Sequence, residues 1–223
     1  YTPMIKSSQV VRNDYSLGDV SGRGGGKSTY ICTGMNGSGK SECMGSTPYH
    51  SLCLIQFAEL AFAKGAKATY TDKIFFQGAE TGDVAKGKSK YMQECGVIKD
   101  MVEYISSPTH AKKSMLVFLD EFGNGTIRHE AHALLFAFLK FLGKHRNVMT
   151  LAATHDIELF NIARREKYDG FEHYTTAYDE KSKRFPYKLK KGIIDKPASV
   201  YVTRDILKNP KSSPSCSKLF DES

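Results

Sequence analysis

Eight consecutive residues, Gly34-Met35-Asn36-Gly37-Ser38-Gly39-Lys40-Ser41, carry the densest chemistry in this sequence. They fit G-x-x-x-x-G-K-[ST] at every fixed position. In that pattern glycines let the backbone turn its N–H groups toward phosphate oxygens, the lysine reaches the β- and γ-phosphates, and the serine hydroxyl ligates Mg²⁺. A short β-prone run, Thr29-Tyr30-Ile31-Cys32-Thr33, leads into the loop, and a helix beyond it would add its N-terminal dipole to the anion site. A similar stretch upstream, Gly24-Gly25-Gly26-Lys27-Ser28-Thr29, has Ser21 where the pattern needs Gly and no buried strand before it. It reads as a flexible hairpin turn. Glu42 sets a carboxylate close to the phosphates, and Gly45 and Pro48 are expected to interrupt the helix after about one turn.

Two acids follow an apolar run in Leu116-Val117-Phe118-Leu119-Asp120-Glu121. Adjacent carboxylates at the end of a buried strand are costly unless a cation or polar ligand meets them. Beside a phosphate loop the first acid, Asp120, would hold Mg²⁺ together with Ser41, and the second, Glu121, would orient and deprotonate an attacking water. A second apolar run, Val148 to Ala153, ends in Thr154-His155, and His155 could donate a hydrogen bond to a γ-phosphate. Three features at strand ends belong together, because ligands of open α/β sheets collect outside the carboxyl ends of the strands.

The elements that must position these residues are an alternation of strands and helices. Helices are expected at Leu52–Ala63, closed by Gly65, at Ser89–Ile105, where Tyr91, Cys95, Ile98, Val102 and Ile105 share one face, and at about His129–Leu142. Further strands are expected at Thr69–Phe76, Met115–Leu119, Phe171–Tyr178 and Phe185–Leu189, with an edge strand near Ser8–Val11 and a short helix near Val200–Leu207. The alternation implies an α/β fold, a mostly parallel central sheet flanked by helices, with buried strands at Met115–Leu119 and Val148–Ala153. The last stretch, 209–223, is rich in Ser, Pro and Lys and is expected to be a disordered tail.

Composition sets the outer bounds. The 223 residues, 40% apolar and 25% charged, have the proportions of a globular protein with a core. No apolar run is long enough to span a bilayer, so no membrane partner is expected. The chain opens on Tyr1 without a leader-like segment, which reads as an intracellular protein cut from something longer. Five cysteines without C-x-x-C spacing point to reduced thiols rather than zinc or a disulfide framework. A net charge of +8 hints at a polyanionic partner without choosing between nucleic acid and nucleotide.

These residues, in this order, resemble the ATPase domain of the MutS DNA mismatch-repair family, a branch of the ABC-type P-loop ATPases. Thr33 to Ser41 looks like that family's TGPNMGGKS. Ile74-Phe75-Phe76-Gln77-Gly78-Ala79 and Gly82 to Glu94 are similar to its IFTRVGA and DDLASGRSTFMVE. Leu119 to Thr126 matches LDEIGRGT, Leu151 to Leu159 matches LFATHYHEL, and Tyr187 to Gly192 resembles a strand near the domain's end. The likeness covers roughly residues 2–207, so 1–208 is expected to be one ABC-type ATPase domain. It implies that ATP is held by residues 34–41, Mg²⁺ by Ser41 and Asp120, and the attacking water by Glu121, with His155 on the γ-phosphate. Gly87, Lys88 and Ser89 would be offered in trans to a partner subunit's nucleotide, in a homo- or heterodimer through the ATPase face. DNA would be bound by domains outside this chain, in the cytoplasm or nucleoid, or in the nucleus of a eukaryote.

The sequence departs from the family at Glu42, in a lengthened segment at Gly45–Ser51, and at Ile127-Arg128-His129-Glu130, where the family has STxDG. The family's mismatch-reading wedge is Phe-x-Glu in another domain. The Phe57-Ala58-Glu59 found here is expected to be core packing. Two alternatives to an ATP-hydrolysing module stand beside it: a nucleotide-binding scaffold that has lost hydrolysis, and a P-loop kinase.

Overall fold

A computed structural model describes residues 10–18, 26–61, 63–78, 90–122, 128–155, 157–176, 178–179 and 181–193. Six strands form one sheet: β1 (Thr29–Gly34), β2 (Lys73–Gln77), β3 (Met115–Asp120), β4 (Val148–Thr154), β5 (Phe171–Thr176) and β6 (Leu189–Lys191). Their spatial order is β2-β3-β4-β1-β5-β6. The first five run parallel, and β6 pairs antiparallel to β5 at the edge. Four helices connect them: α1 (Thr47–Ala58), α2 (Lys90–Ser106), α3 (Arg128–Leu142) and α4 (Glu158–Arg165).

Period-two alternation sorts each strand's residues onto two faces, and each face has its own core. On one, Ile31, Val117, Leu119 and Ala152 meet Met101 and Ile105 of α2, Leu135, Leu139 and Leu142 of α3, and Leu159 and Ala163 of α4. On the other, Tyr30, Cys32, Leu116, Phe118 and Leu151 meet Met44, with Leu17 and Leu52 against them. The result is a helix–sheet–helix sandwich whose central strands are apolar on both sides, as parallel strands must be.

Because β4 lies between β1 and β3, three carboxyl-terminal strand ends stand side by side. Register fixes how closely: Thr33 of β1 pairs with Thr154 of β4, and Asp120 of β3 pairs with Ala153. The phosphate-type loop, the acid pair and the histidine are thereby delivered to one edge of the sheet.

The α/β sheet and its order of elements match the expectation; several boundaries do not. The helix behind the loop is not interrupted after one turn. A π-turn, Glu42–Ser46, leads straight into α1, with the Thr47 N–H donating to the Glu42 carbonyl. The wide turn absorbs the extra length and sets Pro48 in the first turn of α1, where its missing N–H costs little. Helix α1 stops at Ala58 rather than Ala63, because Glu59 turns left-handed at φ 55° and Leu60 N–H closes onto the Leu54 carbonyl. Phe57 is 79% exposed, so the Phe57-Ala58-Glu59 triplet is a helix end facing solvent and not core packing.

The expected strand at Thr69–Phe76 is confined to Lys73–Gln77, and the one at Phe185–Leu189 is displaced to Leu189–Lys191. Val10 and Val11 lie in no strand, and α4 was not anticipated at all. The short helix near Val200–Leu207 and the tail 209–223 lie outside the described residues. No described helix is long and apolar enough to cross a membrane.

Candidate functional site

The loop after β1 begins where side chains have no room. A Cβ on Gly34 would stand 2.3 Å from the Thr176 hydroxyl at the end of β5 and 2.8 Å from that of Ser38. Gly37 and Gly39 adopt φ of 77° and 87°, a left-handed geometry that lets the backbone curl. Buried Ser38 fastens the curl: its hydroxyl lies 2.5 Å from that of Thr176, and its N–H donates to the Met35 carbonyl at 3.2 Å.

Lys40 follows on the first turn of the helix and points back into the curl. Its Nζ donates to the Met35 carbonyl at 3.1 Å and to Asn36 Oδ1 at 3.5 Å, and pairs with Glu121 Oε1 at 3.2 Å. Its side chain is only 3% exposed, so the ammonium is held where an incoming anion would have to meet it. Ser41 donates its hydroxyl to Asp120 Oδ1 at 2.7 Å.

The acid pair divides its work by backbone geometry. Asp120 ends β3 in extended conformation and faces Ser41. Glu121 turns left-handed at φ 51°, strained for a residue with a Cβ, and its N–H donates to the Ala153 carbonyl at 2.9 Å. That turn carries its carboxylate across to Lys40 on one side and to His155 Nδ1 on the other.

Two carboxyls one residue apart are pushed in opposite directions. Burial raises Asp120 above the ordinary carboxylate value, and the charge of Glu121 adds to this against the Ser41 hydrogen bond. Burial also acts to raise Glu121, but the hydrogen bond from His155 and the charge of Lys40 outweigh it and hold that carboxyl low. Divergent environments for paired acids are the usual means of giving them different roles.

The donors fit a magnesium ion. Ser41 Oγ and Asp120 Oδ1 are two hard oxygens already at hydrogen-bonding distance, and Asp120 sits where burial disfavours its charge until a cation arrives. Mg²⁺ asks for little more from a protein, because water and substrate phosphates complete its shell.

The structure thus brings together residues 34–41, Asp120, Glu121 and His155, as their spacing implied. Gly87, Lys88 and Ser89 lie outside the described residues. Three neighbours of the loop were not singled out in advance. Thr176 could have been found, since it closes an expected strand on the side where ligands collect. Tyr187 and Asn13 gave no local signal; Tyr187 carbons stand 3.0 and 3.8 Å from the position of a Gly39 Cβ, and Asn13 bonds to the backbone on either side of Lys188.

The class defined by fold and site is an α/β protein with a parallel sheet and a glycine-rich Lys-Ser loop facing an acidic strand end. Residues 26–213 match the family description "MutS domain V", and the chain belongs to the MutS family. It is 30% identical over 203 residues to the DNA mismatch repair protein MutS of Bacillus licheniformis, covering 90% of this chain and 22% of that protein. The MutS of Acetivibrio thermocellus is 31% identical over 176 residues, 78% of this chain and 19% of its own length. That of Bacillus pumilus is 31% identical over 203 residues, 90% and 22% respectively. The chain therefore spans about a fifth of the length of the curated relatives it matches.

Proposed function

We propose that this chain is an ATP-binding and ATP-hydrolysing module of ABC type within a MutS-like DNA-repair protein. One observation carries the reading: Lys40 and Glu121 meet at 3.2 Å while Ser41 and Asp120 meet at 2.7 Å, at the adjoining ends of β1 and β3. Residues 34–41 would wrap the phosphates with backbone N–H groups. Lys40 would exchange Glu121 and the Met35 carbonyl for the β- and γ-phosphate oxygens. Ser41 and Asp120 would hold Mg²⁺, whose chemistry is to neutralise charge on the phosphates.

Release from Lys40 would leave the Glu121 carboxylate to take the proton of an attacking water. His155, already against Glu121, would steady that carboxylate and offer its other ring nitrogen to the γ-phosphate. Gly87, Lys88 and Ser89 would act on the nucleotide of a second subunit, homologous or identical, so that a dimer completes each site. DNA would be engaged by other parts of a MutS-like protein, which the cycle would clamp and release.

The test is steady-state ATP hydrolysis against protein concentration, with Lys40→Ala as the blank. A rate rising faster than linearly and abolished by the substitution is the expected result. A rate of zero with radiolabelled ATP still bound would overturn hydrolysis. A second reading, a nucleotide-gated scaffold without turnover, is favoured by the ties that occupy both oxygens of Glu121, and that same outcome would support it.

A further inference from the structure

The strap formed by residues 10–18 crosses behind the phosphate-type loop and touches it at one point of consequence. Its far end is anchored: Leu17 packs against the second core, and Gly18 N–H donates to the Tyr30 hydroxyl at 2.5 Å. Tyr15 is hydrogen-bonded to Thr47 at the start of α1. Between these anchors Asn13 turns its amide toward the segment before β6. Its Nδ2 donates to the Tyr187 carbonyl at 3.0 Å, and its Oδ1 accepts from the Leu189 N–H at 2.8 Å.

A donor and an acceptor spent on the carbonyl of one residue and the N–H two residues on is the pattern a neighbouring parallel strand provides. The amide of Asn13 thus stands in for a strand that the sheet does not have at this point. It also lies 3.8 Å from Cys43 Sγ, whose thiol reaches the same Tyr187 carbonyl at 3.7 Å. The segment so held contains the residue most in need of holding. Tyr187 has φ of 51°, a left-handed backbone that a non-glycine residue adopts at a cost. Its ring is half-exposed and flanks Gly39, in the middle of the loop.

An aromatic face beside a phosphate cradle is what a nucleotide base stacks on, irrespective of hydrogen-bond pattern. We propose that Asn13 is a positioning residue for the base of the bound nucleotide, acting through Tyr187 by locking the 187–189 backbone onto the loop. The role rests on residues 34–41 holding the phosphates.

Calorimetric titration of the chain with Mg-ATP and, separately, with magnesium tripolyphosphate distinguishes the two levels. Asn13→Ala is expected to weaken Mg-ATP about ten-fold and to leave tripolyphosphate within about two-fold, because only ATP carries a base. Tyr187→Ala should give the same split, and the double variant should be no weaker than Tyr187→Ala alone. Asn13→Asp keeps the acceptor for Leu189 and loses the donor to Tyr187. It is expected to show the split as well, and serves if the alanine variant does not fold. Equal weakening of both ligands, an unchanged ATP affinity, or additive losses would overturn the role of Asn13. Tripolyphosphate binding the unaltered chain as tightly as ATP would overturn the base contact and leave the phosphate site standing. Binding of neither ligand would remove the phosphate site, and the role of Asn13 with it.

Discussion

Asp120 and Glu121 are consecutive in the chain, yet their surroundings give them opposite dependences on pH. Asp120 is raised from 3.8 by burial, so its contribution to stability is present below 3.8 and lost as pH rises through its higher folded value. Near neutrality it burdens the fold. Asp120→Asn is therefore expected to raise the melting temperature at pH 7, with the gain vanishing toward pH 3.8, while magnesium-dependent nucleotide binding is lost; thermal melts with and without Mg-ATP check both halves. Glu121 is lowered from 4.5, because its pairing with His155 and Lys40 outweighs burial. Its contribution is present above 4.5 and lost as pH falls through the lower folded value. Glu121→Gln should remove that acid-side loss. It should also slow hydrolysis by roughly 10²–10⁴-fold, the range of a missing general base, while ATP still binds. Hydrolysis at the unaltered rate in Glu121→Gln would take the water-activating role away from this residue.

The π-turn at Glu42–Ser46 shows what an element contributes beyond its residues. It places Gly45 so close to β3 that an added Cβ would lie 1.9 Å from Phe118 Cζ and 2.2 Å from Cε2. Phe118 is itself buried under Phe76 and Met44, so the ring has nowhere to retreat. Gly45→Ala is expected to cost about 1–3 kcal/mol as overpacking, a fall of roughly 3–10 °C in melting temperature for a domain of this size. Phe118→Leu in the same chain should recover part of that loss, and strict additivity of the two changes would refute the contact. The sequence announces such a turn only ambiguously: Gly45 and Pro48 signal irregularity, but whether a helix breaks or widens depends on the ring that meets it from another strand. The same limit explains which elements were legible. Met115–Asp120 and Val148–Thr154 declare themselves because strands buried on both faces are apolar throughout. Helix α4 has eight residues, too short for a period to show, and the end of α1 is set by a left-handed Glu59 that propensity would not choose. In the site, residues 34–41, Asp120, Glu121 and His155 were legible because the chemistry prescribes their types and spacing. Asn13 and Tyr187 were not, since their relation is a tertiary contact across 174 positions.

At the scale of the molecule, every proposed ATP contact lies along one edge of the sheet, and His155 on that edge is 41% exposed. An edge of this kind can admit water freely, which strengthens the case for a second subunit that closes it, since charged contacts gain when water is excluded. If Ser89 is the residue a partner supplies, a chain bearing Ser89→Ala keeps an intact loop but starves the site opposite. A chain bearing Lys40→Ala has the reverse defect. Each alone is expected to be nearly inactive. Mixed in equal amounts, they should recover up to about a quarter of the unaltered rate. Random pairing makes half of the dimers mixed, and each mixed dimer holds one site with Lys40 from one chain and Ser89 from the other. The readout is hydrolysis at constant total protein over a range of mixing ratios, with a maximum expected at equal amounts. A straight line between two inactive end points would mean that each chain works by itself, and the trans role of 87–89 would fall while the site on β1, β3 and β4 remained.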